Sequence, residues 1–201
     1  MKKFLALITT TVLFITSVAC MTGCSANPSK KEIIAARENA ITYAAKAYQT
    51  VSEQDWFDDY TFVGVHCDGY ESFKEPVEEY PSTMQYVDIL TGEETEIETT
   101  AVTEKSFMFE FYFINQDNEY YRCDVVYVGA SRMISVETGE VVSDTGSLAE
   151  VDEIWQLEQG YFERVLSDVF QNGYSVSSDG NVDFMITADE IESAMANGEN
   201  T

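Results

Sequence analysis

Phe107, Phe109, Phe111 and Phe113 occupy every second position of one short run. In an extended chain successive side chains point to opposite faces, so all four rings share one face. On a helix they would be scattered around the axis. A face of four phenylalanines has to be buried, so this segment is a core strand and the rest of the chain must supply its cover. The next strand-like run, Tyr120 to Val128, must pair with it, and the loop around Asn115 to Asn118 decides how. An even loop sets Tyr120, Arg122, Asp124 and Val126 beneath the phenylalanines. An odd loop sets Tyr121, Cys123, Val125 and Tyr127 there instead. Burying Arg122 and Asp124 under aromatic rings is costly, which favours the odd loop.

The material for a core is ample, with 26 aromatic residues (12 Phe, 12 Tyr, 2 Trp) and 45% hydrophobic residues in 201. Ser29 and Glu32 form a capping box for a helix running to about Thr50, with Ile34, Ile41, Ala44, Ala45, Tyr48 and Val51 on its apolar stripe. Thr61 to Cys67 alternates as a strand, with Val63, Val65 and Cys67 on one face. Met84 to Leu90 and Thr95 to Val102 follow, turning at Thr91-Gly92, and Met133 to Val142 adds one or two strands. Ser147 and Glu150 form a second capping box, predicting a helix to about Asn172. Tyr174 to Ile186 reads as a tight hairpin around Asp179-Gly180, and Thr187 with Glu190 caps a last helix. The order predicts an α+β domain, one antiparallel sheet covered by helices. It looks like the curved sheets of the cystatin-like and NTF2-like cone folds, and Ser135 to Val141 is faintly similar to the last strands of PepSY-type envelope domains.

Charge narrows the function classes. The chain holds 36 Asp plus Glu against 11 Lys plus Arg, a formal charge of −25. Tracking a phosphate backbone needs clustered cations, so nucleic acid is excluded as a partner. One histidine excludes any site built on two imidazoles.

Lys2 and Lys3 precede an uncharged apolar run from Phe4 to Ala19, then Cys20-Met21-Thr22-Gly23-Cys24-Ser25. A positive start, an apolar stretch of this length and small residues at its end read as an export signal. The segment resembles the lipoprotein class of bacterial signal peptides, with Met21-Thr22-Gly23-Cys24 as the lipobox. The resemblance covers about the first 25 residues. It implies cleavage after Gly23, a lipid on Cys24 and attachment to the outer face of a bacterial membrane. Met21 departs from the branched aliphatic usual at its place, and Ser17-Val18-Ala19-Cys20 is the rival site. Residues 1–23 are then the signal peptide, 24–30 a tether and 31–201 a single domain. Loss of Lys2 and Lys3 leaves nine bases against 36 acids, a mature charge of −27.

Four groups of residues are candidates for chemistry. Cys67 and Cys123 remain as an even pair once Cys20 and Cys24 are accounted for, a candidate disulfide in an exported protein. Asp179, Asn181, Asp183, Thr187 and Glu190 have the spacing of an EF-hand-type calcium loop. Phe184, however, stands where that loop turns on glycine, and an Asp-Gly hairpin followed by a capped helix explains the same residues. Tyr60, Tyr70, Phe73, Tyr80 and Tyr86 lie among carboxylates and could line a pocket for a sugar or a cation, or cover the end of a sheet. His66 reads as structural. The expectation is a lipid-anchored, non-enzymatic envelope module that binds a small ligand or an envelope protein and needs no cofactor. A hydrolase with paired carboxylates and a calcium module are the alternatives.

Overall fold

The computed structural model describes residues 28–87, 92–158, 160–161, 173–178 and 180–198. Helix α1 (Lys30–Ser52) starts at the expected capping box: the Ser29 hydroxyl accepts from the Glu32 amide, and Glu32 accepts in return from the Ser29 amide at 2.9 Å. Its buried stripe is Ile33, Ala36, Ala40, Tyr43, Ala44, Ala47, Tyr48 and Val51. Ile33 rather than Ile34 faces inward, and Ile34 is exposed. Small alanines let the helix axis approach closely, while Tyr43 and Tyr48 reach into the aromatic core.

A seven-stranded, wholly antiparallel sheet lies against α1. It comprises β1 (Thr61–Cys67), β4 (Phe107–Ile114), β5 (Tyr120–Val128), β8 (Leu148–Val151), β9 (Trp155–Gln156), β10 (Tyr174–Val176) and β11 (Val182–Thr187). The order is β10-β11-β1-β4-β5-β8, with β9 also on the outer edge of β5. Antiparallel strands with one helix-covered face establish the α+β class. A second, four-stranded sheet is formed by β2 (Val77–Val87), β3 (Glu94–Glu104), β6 (Ser131–Ser135) and β7 (Val141–Asp144). The chain therefore divides its strands between two sheets instead of the one expected. Two unpredicted features join them: the short helix α2 (Tyr70–Lys74), and a corner where β3 runs into β4 beside the passage from β5 to β6. At that corner Gly129 is required by space. A Cβ there would stand 2.6 Å from the Glu104 carbonyl carbon. The Glu104 carboxylate fastens the corner, accepting from Tyr127 (3.0 Å) and Lys46 (3.1 Å).

The register follows the charge argument. Asn115 to Glu119 forms a five-residue loop, its Asn115 side-chain oxygen accepting from the amides of Asp117 and Glu119. Phe107, Phe109, Phe111 and Phe113 consequently pair with Tyr127, Val125, Cys123 and Tyr121. The rings pack with Phe73, Tyr43 and Tyr48, and Phe73 stacks on Phe107 at 4.4 Å.

Residues 148–151 are a strand, not the first turn of a helix. Ala149 and Val151 pack on the core, whereas Leu148 and Glu150 face outward, a period of two. Pairing with β5 satisfies the open backbone edge of that strand, which a helix could not do. The remainder of the expected helix, 162–172, lies outside the described residues. Helix α3 (Ala188–Gly198) closes the domain, with Thr187 and Glu190 forming the predicted cap.

Cys67 and Cys123 are free and buried. The disulfide expectation is thus corrected. They share the core face, but β4 runs between their strands, which places them about 10 Å apart across two strand spacings, beyond reach of a bridge. Burial raises the pKa of both thiols, that of Cys123 to about 12, which disfavours the thiolate form.

Candidate functional site

The β1–β11 pairing builds the site. Cys67 stands opposite Phe184, so one step further the chain brings Asp68 and Asp183 to neighbouring positions across the two strands. Like charges facing each other at a strand end are unfavourable without a counter-charge. Directly after Asp68, Gly69 adopts φ +89°, a left-handed turn that suits glycine, and starts α2. Phe73 drives α2 into the core, and the Asn39 amide fixes it by donating to the Phe73 carbonyl at 2.8 Å.

Between α2, the start of α1 and the β10–β11 turn lies an open cleft of about 770 Å3. Glu32, Asp68, Glu71, Asp183, Lys74 and Tyr70 line it, together with the Gly180–Asn181 turn, so among the described residues four carboxylates face one ammonium. Lys74 is committed to Glu32 at 3.7 Å. The Asp183 carboxylate accepts from Ser175 Oγ at 3.4 Å, while Asp68 and Glu71 have no ion pair among the described residues. Tyr70 is 6% exposed, and its buried hydroxyl has no hydrogen-bond partner. Burial pushes the Tyr70 pKa up, and nearby Glu32 and Glu71 push it further. The Tyr70 ring belongs to the buried core cluster behind the cleft. A buried polar group without a partner costs about 1–3 kcal/mol.

The expected sites are redistributed by the fold. Of the five aromatics only Tyr70 reaches the cleft. Phe73 is fully buried, and Tyr60 packs on Phe113 and Tyr121. Tyr80 and Tyr86 are exposed on β2 in the other sheet. Of the calcium spacing, Asp179 lies outside the described residues, and Asn181 and Asp183 line the cleft. Asp183 and Thr187 are drawn about 13 Å apart along the extended β11. Glu190 is occupied by Arg37 in a bidentate pair (2.7 and 2.9 Å) and by Thr187. The described members of that motif therefore do not converge. Among the described residues no three His, Cys, Asp or Glu side chains group in a way that could hold a metal.

A second polar assembly occupies the sheet face opposite α1. His66 Nδ1–H and the Tyr112 hydroxyl both donate to Glu110 Oε2 (2.8 and 2.7 Å), and Arg122 reaches Glu110 Oε1 (2.7 Å). Arg122 also donates twice to Asp124 (2.7 and 2.9 Å), its guanidinium lying 5.1 Å from the Trp155 ring. Burial alone would raise the Glu110 pKa. Hydrogen bonds from His66 and Tyr112 and the Arg122 charge outweigh it, and the carboxyl is held low. Every group in this network is used by another, so it ties β1, β4 and β5 together and offers no vacant donor set. The carboxylates with resolved shifts (Glu32, Glu104, Glu110, Asp144 and Glu190) are all held below their usual range. Parity along β4 and β5 already puts Glu110, Tyr112, Arg122 and Asp124 on one face, the signal by which the network could be found in the sequence.

Among the described residues no helix is long and apolar enough to cross a membrane. No family model, no curated protein and no solved structure matches the chain.

Proposed function

We propose that the chain is a lipid-anchored, non-enzymatic binding module of the bacterial cell envelope, and that its ligand sits in the cleft between α2, the start of α1 and the β10–β11 turn. The observation that supports this reading is an open cleft of about 770 Å3 in which, among the described residues, four carboxylates stand against one ammonium. The volume falls within the ~300–1,000 Å3 that small-molecule sites occupy. A helix lying across one face of an antiparallel sheet also supports the cone-type architecture. With the lipid on Cys24, four residues before Pro28 at the rim, the cleft is held within about 15 Å of the membrane surface.

The test is native mass spectrometry of the full chain expressed in a bacterium and extracted from its membranes in mild detergent. The expected species starts at Cys24, carries a diacylglyceryl mass there and retains a small non-covalent ligand. An Asp68→Asn/Asp183→Asn double variant keeps the lipid and loses the ligand. A chain that retains residues 1–23 without lipid overturns the anchor. A ligand held equally by the double variant overturns the cleft.

A further inference from the structure

Strand β2 ends the four-stranded sheet and, among the described residues, pairs with β3 alone over its 11 residues. The Lys105 amide donates to the Pro76 carbonyl at 2.8 Å, which makes Pro76 and Lys105 a hydrogen-bonded pair of that ladder. Alternation then turns the backbone groups of Glu78, Tyr80, Ser82, Met84 and Tyr86 towards β3. Those of Val77, Glu79, Pro81, Thr83, Gln85 and Val87 point to the open side. Pro81, which has no N–H, falls on the open side, where the ladder with β3 loses nothing. A row of unpaired donors and acceptors of this length is a template for another strand. Val77, Tyr80, Tyr86 and Val87 are exposed along it, so an added strand would also take apolar surface out of water. We infer that a second copy of this chain fills the edge, the two β2 strands pairing antiparallel about a two-fold axis at Ser82. The inference is independent of the cleft and of what fills it.

The residues of β2 select this occupant. Outward-facing groups must meet outward-facing groups, so a two-fold axis passes through a residue rather than between two. Only Ser82, the middle of Val77–Val87, lets the whole strand pair. In that register Val77 meets the partner's Val87, and Glu79 meets the partner's Gln85. Tyr80 meets the partner's Met84, and Glu78 meets the partner's Tyr86. No carboxylate faces a carboxylate across the seam, in a chain that carries 36 Asp plus Glu. Sliding the axis to Glu78 or Glu79 would set like charges face to face. Within each copy Tyr80 stands opposite Ala101 and Met84 opposite Ile97. The seam therefore joins these pairs into one apolar row that covers the exposed Tyr80 ring. At the centre the Pro81 carbonyl accepts from the partner's Thr83 amide, and only the reciprocal bond is missing. A strand of another protein could use the same backbone groups. The match of charge and side-chain character about Ser82, however, is what self-pairing requires and a foreign strand does not.

Ser82 faces its own copy as a non-hydrogen-bonded pair, with Cα atoms about 4.5 Å apart, inside the range a disulfide spans. The test is mild oxidation of the full chain carrying Ser82→Cys, purified in detergent, with the linked positions mapped by mass spectrometry. A disulfide joining two copies at position 82 is expected. Tyr80→Cys and Thr83→Cys, which stand further from their own copies in this register, are expected to give none. Cys67 and Cys123 are buried and do not compete. Sedimentation of the unsubstituted full chain in density-matched detergent is expected to show a reversible monomer–dimer equilibrium. Gln85→Glu sets a carboxylate opposite Glu79 twice in each dimer and is expected to weaken dimerisation about tenfold. Gln49→Glu, which adds the same charge to the exposed side of α1, leaves it unchanged. Monomer at every concentration overturns the pairing, as does a link from Ser82→Cys to a chain of another sequence. Linkage at Tyr80→Cys or Thr83→Cys as strong as at Ser82→Cys overturns the register. Equal weakening by Gln85→Glu and Gln49→Glu would mean diffuse repulsion and overturns it too.

Discussion

Replacing Phe111 with alanine is expected to lower the unfolding free energy by about 4 kcal/mol. Phe111 is fully buried at the centre of β4, the strand whose alternation organises the whole chain. Its ring stacks on Tyr48 of α1 at 6.2 Å and packs on Phe62 and Phe109 at 5.9 and 6.3 Å. Across the ladders it faces Val65 on one side and Cys123 on the other. Truncation leaves a void walled by side chains from four elements, none of which can collapse alone into it. Equilibrium urea unfolding followed by tryptophan fluorescence measures the loss. Phe111→Leu, which keeps most of the volume, is expected to cost less than half as much. A loss below about 1 kcal/mol for the alanine variant would mean the rings are not one packed layer.

Arg37→Met is the second large effect, expected to cost about 2–3 kcal/mol at neutral pH. The Arg37 guanidinium donates to the carbonyls of Gly173 (2.9 Å) and Met185 (2.6 Å) and to both oxygens of Glu190. It thereby joins α1 to β11 and α3 at the back of the cleft-bearing hairpin. The hydrogen bond from Arg37 is the largest cause lowering the Glu190 pKa from 4.5 to about 2. A folded-state pKa below the unfolded value stabilises the protein above about pH 4.5. That contribution is lost as pH falls towards 2. Glu190 is 36% exposed, so solvent screening reduces its share to about 2 kcal/mol at most. The gap between wild type and Arg37→Met should accordingly narrow between pH 5 and pH 2 in urea titrations. An identical gap at both ends would show that the ion pair contributes nothing and that only the carbonyl contacts matter.

The parts of this fold legible in the sequence are those where one physical term dominates. Four phenylalanines at period two admit one conformation, and the cost of burying Arg122 and Asp124 fixes the pairing of β4 with β5. The capping boxes of α1 and α3 satisfy their own backbone donors, so they survive any packing. Ser147 to Val151 fails for the complementary reason. Its Ser-x-x-Glu spacing fits a cap and its Ala149–Val151 spacing fits a strand. The open edge of β5, which the local sequence does not display, decides between them. On α1, Ile33 and Ile34 are adjacent and equally apolar, so the stripe is uncertain by one residue until the sheet beneath it is placed. The cleft was hidden for a similar reason. Tyr70 and the pair Asn181–Asp183 are each visible as candidates, but they belong to different motifs about 110 residues apart in sequence. Only the antiparallel pairing of β1 with β11 carries Asp68 to Asp183 and turns two weak signals into one site.

The most direct measurement is an amide chemical-shift comparison, in detergent, between the full chain as extracted with its ligand and the same chain after denaturation, dialysis and refolding have removed it. Binding in the cleft predicts perturbations concentrated at Asp68–Lys74, Asn181–Asp183 and the first turn of α1. Tyr80 and Tyr86 on β2 and the Glu110–Arg122 network should remain unmoved. Shifts centred on the acidic β2–β3 hairpin, or spread evenly over the carboxylate-bearing surface, would contradict the cleft as the place where this protein holds its ligand.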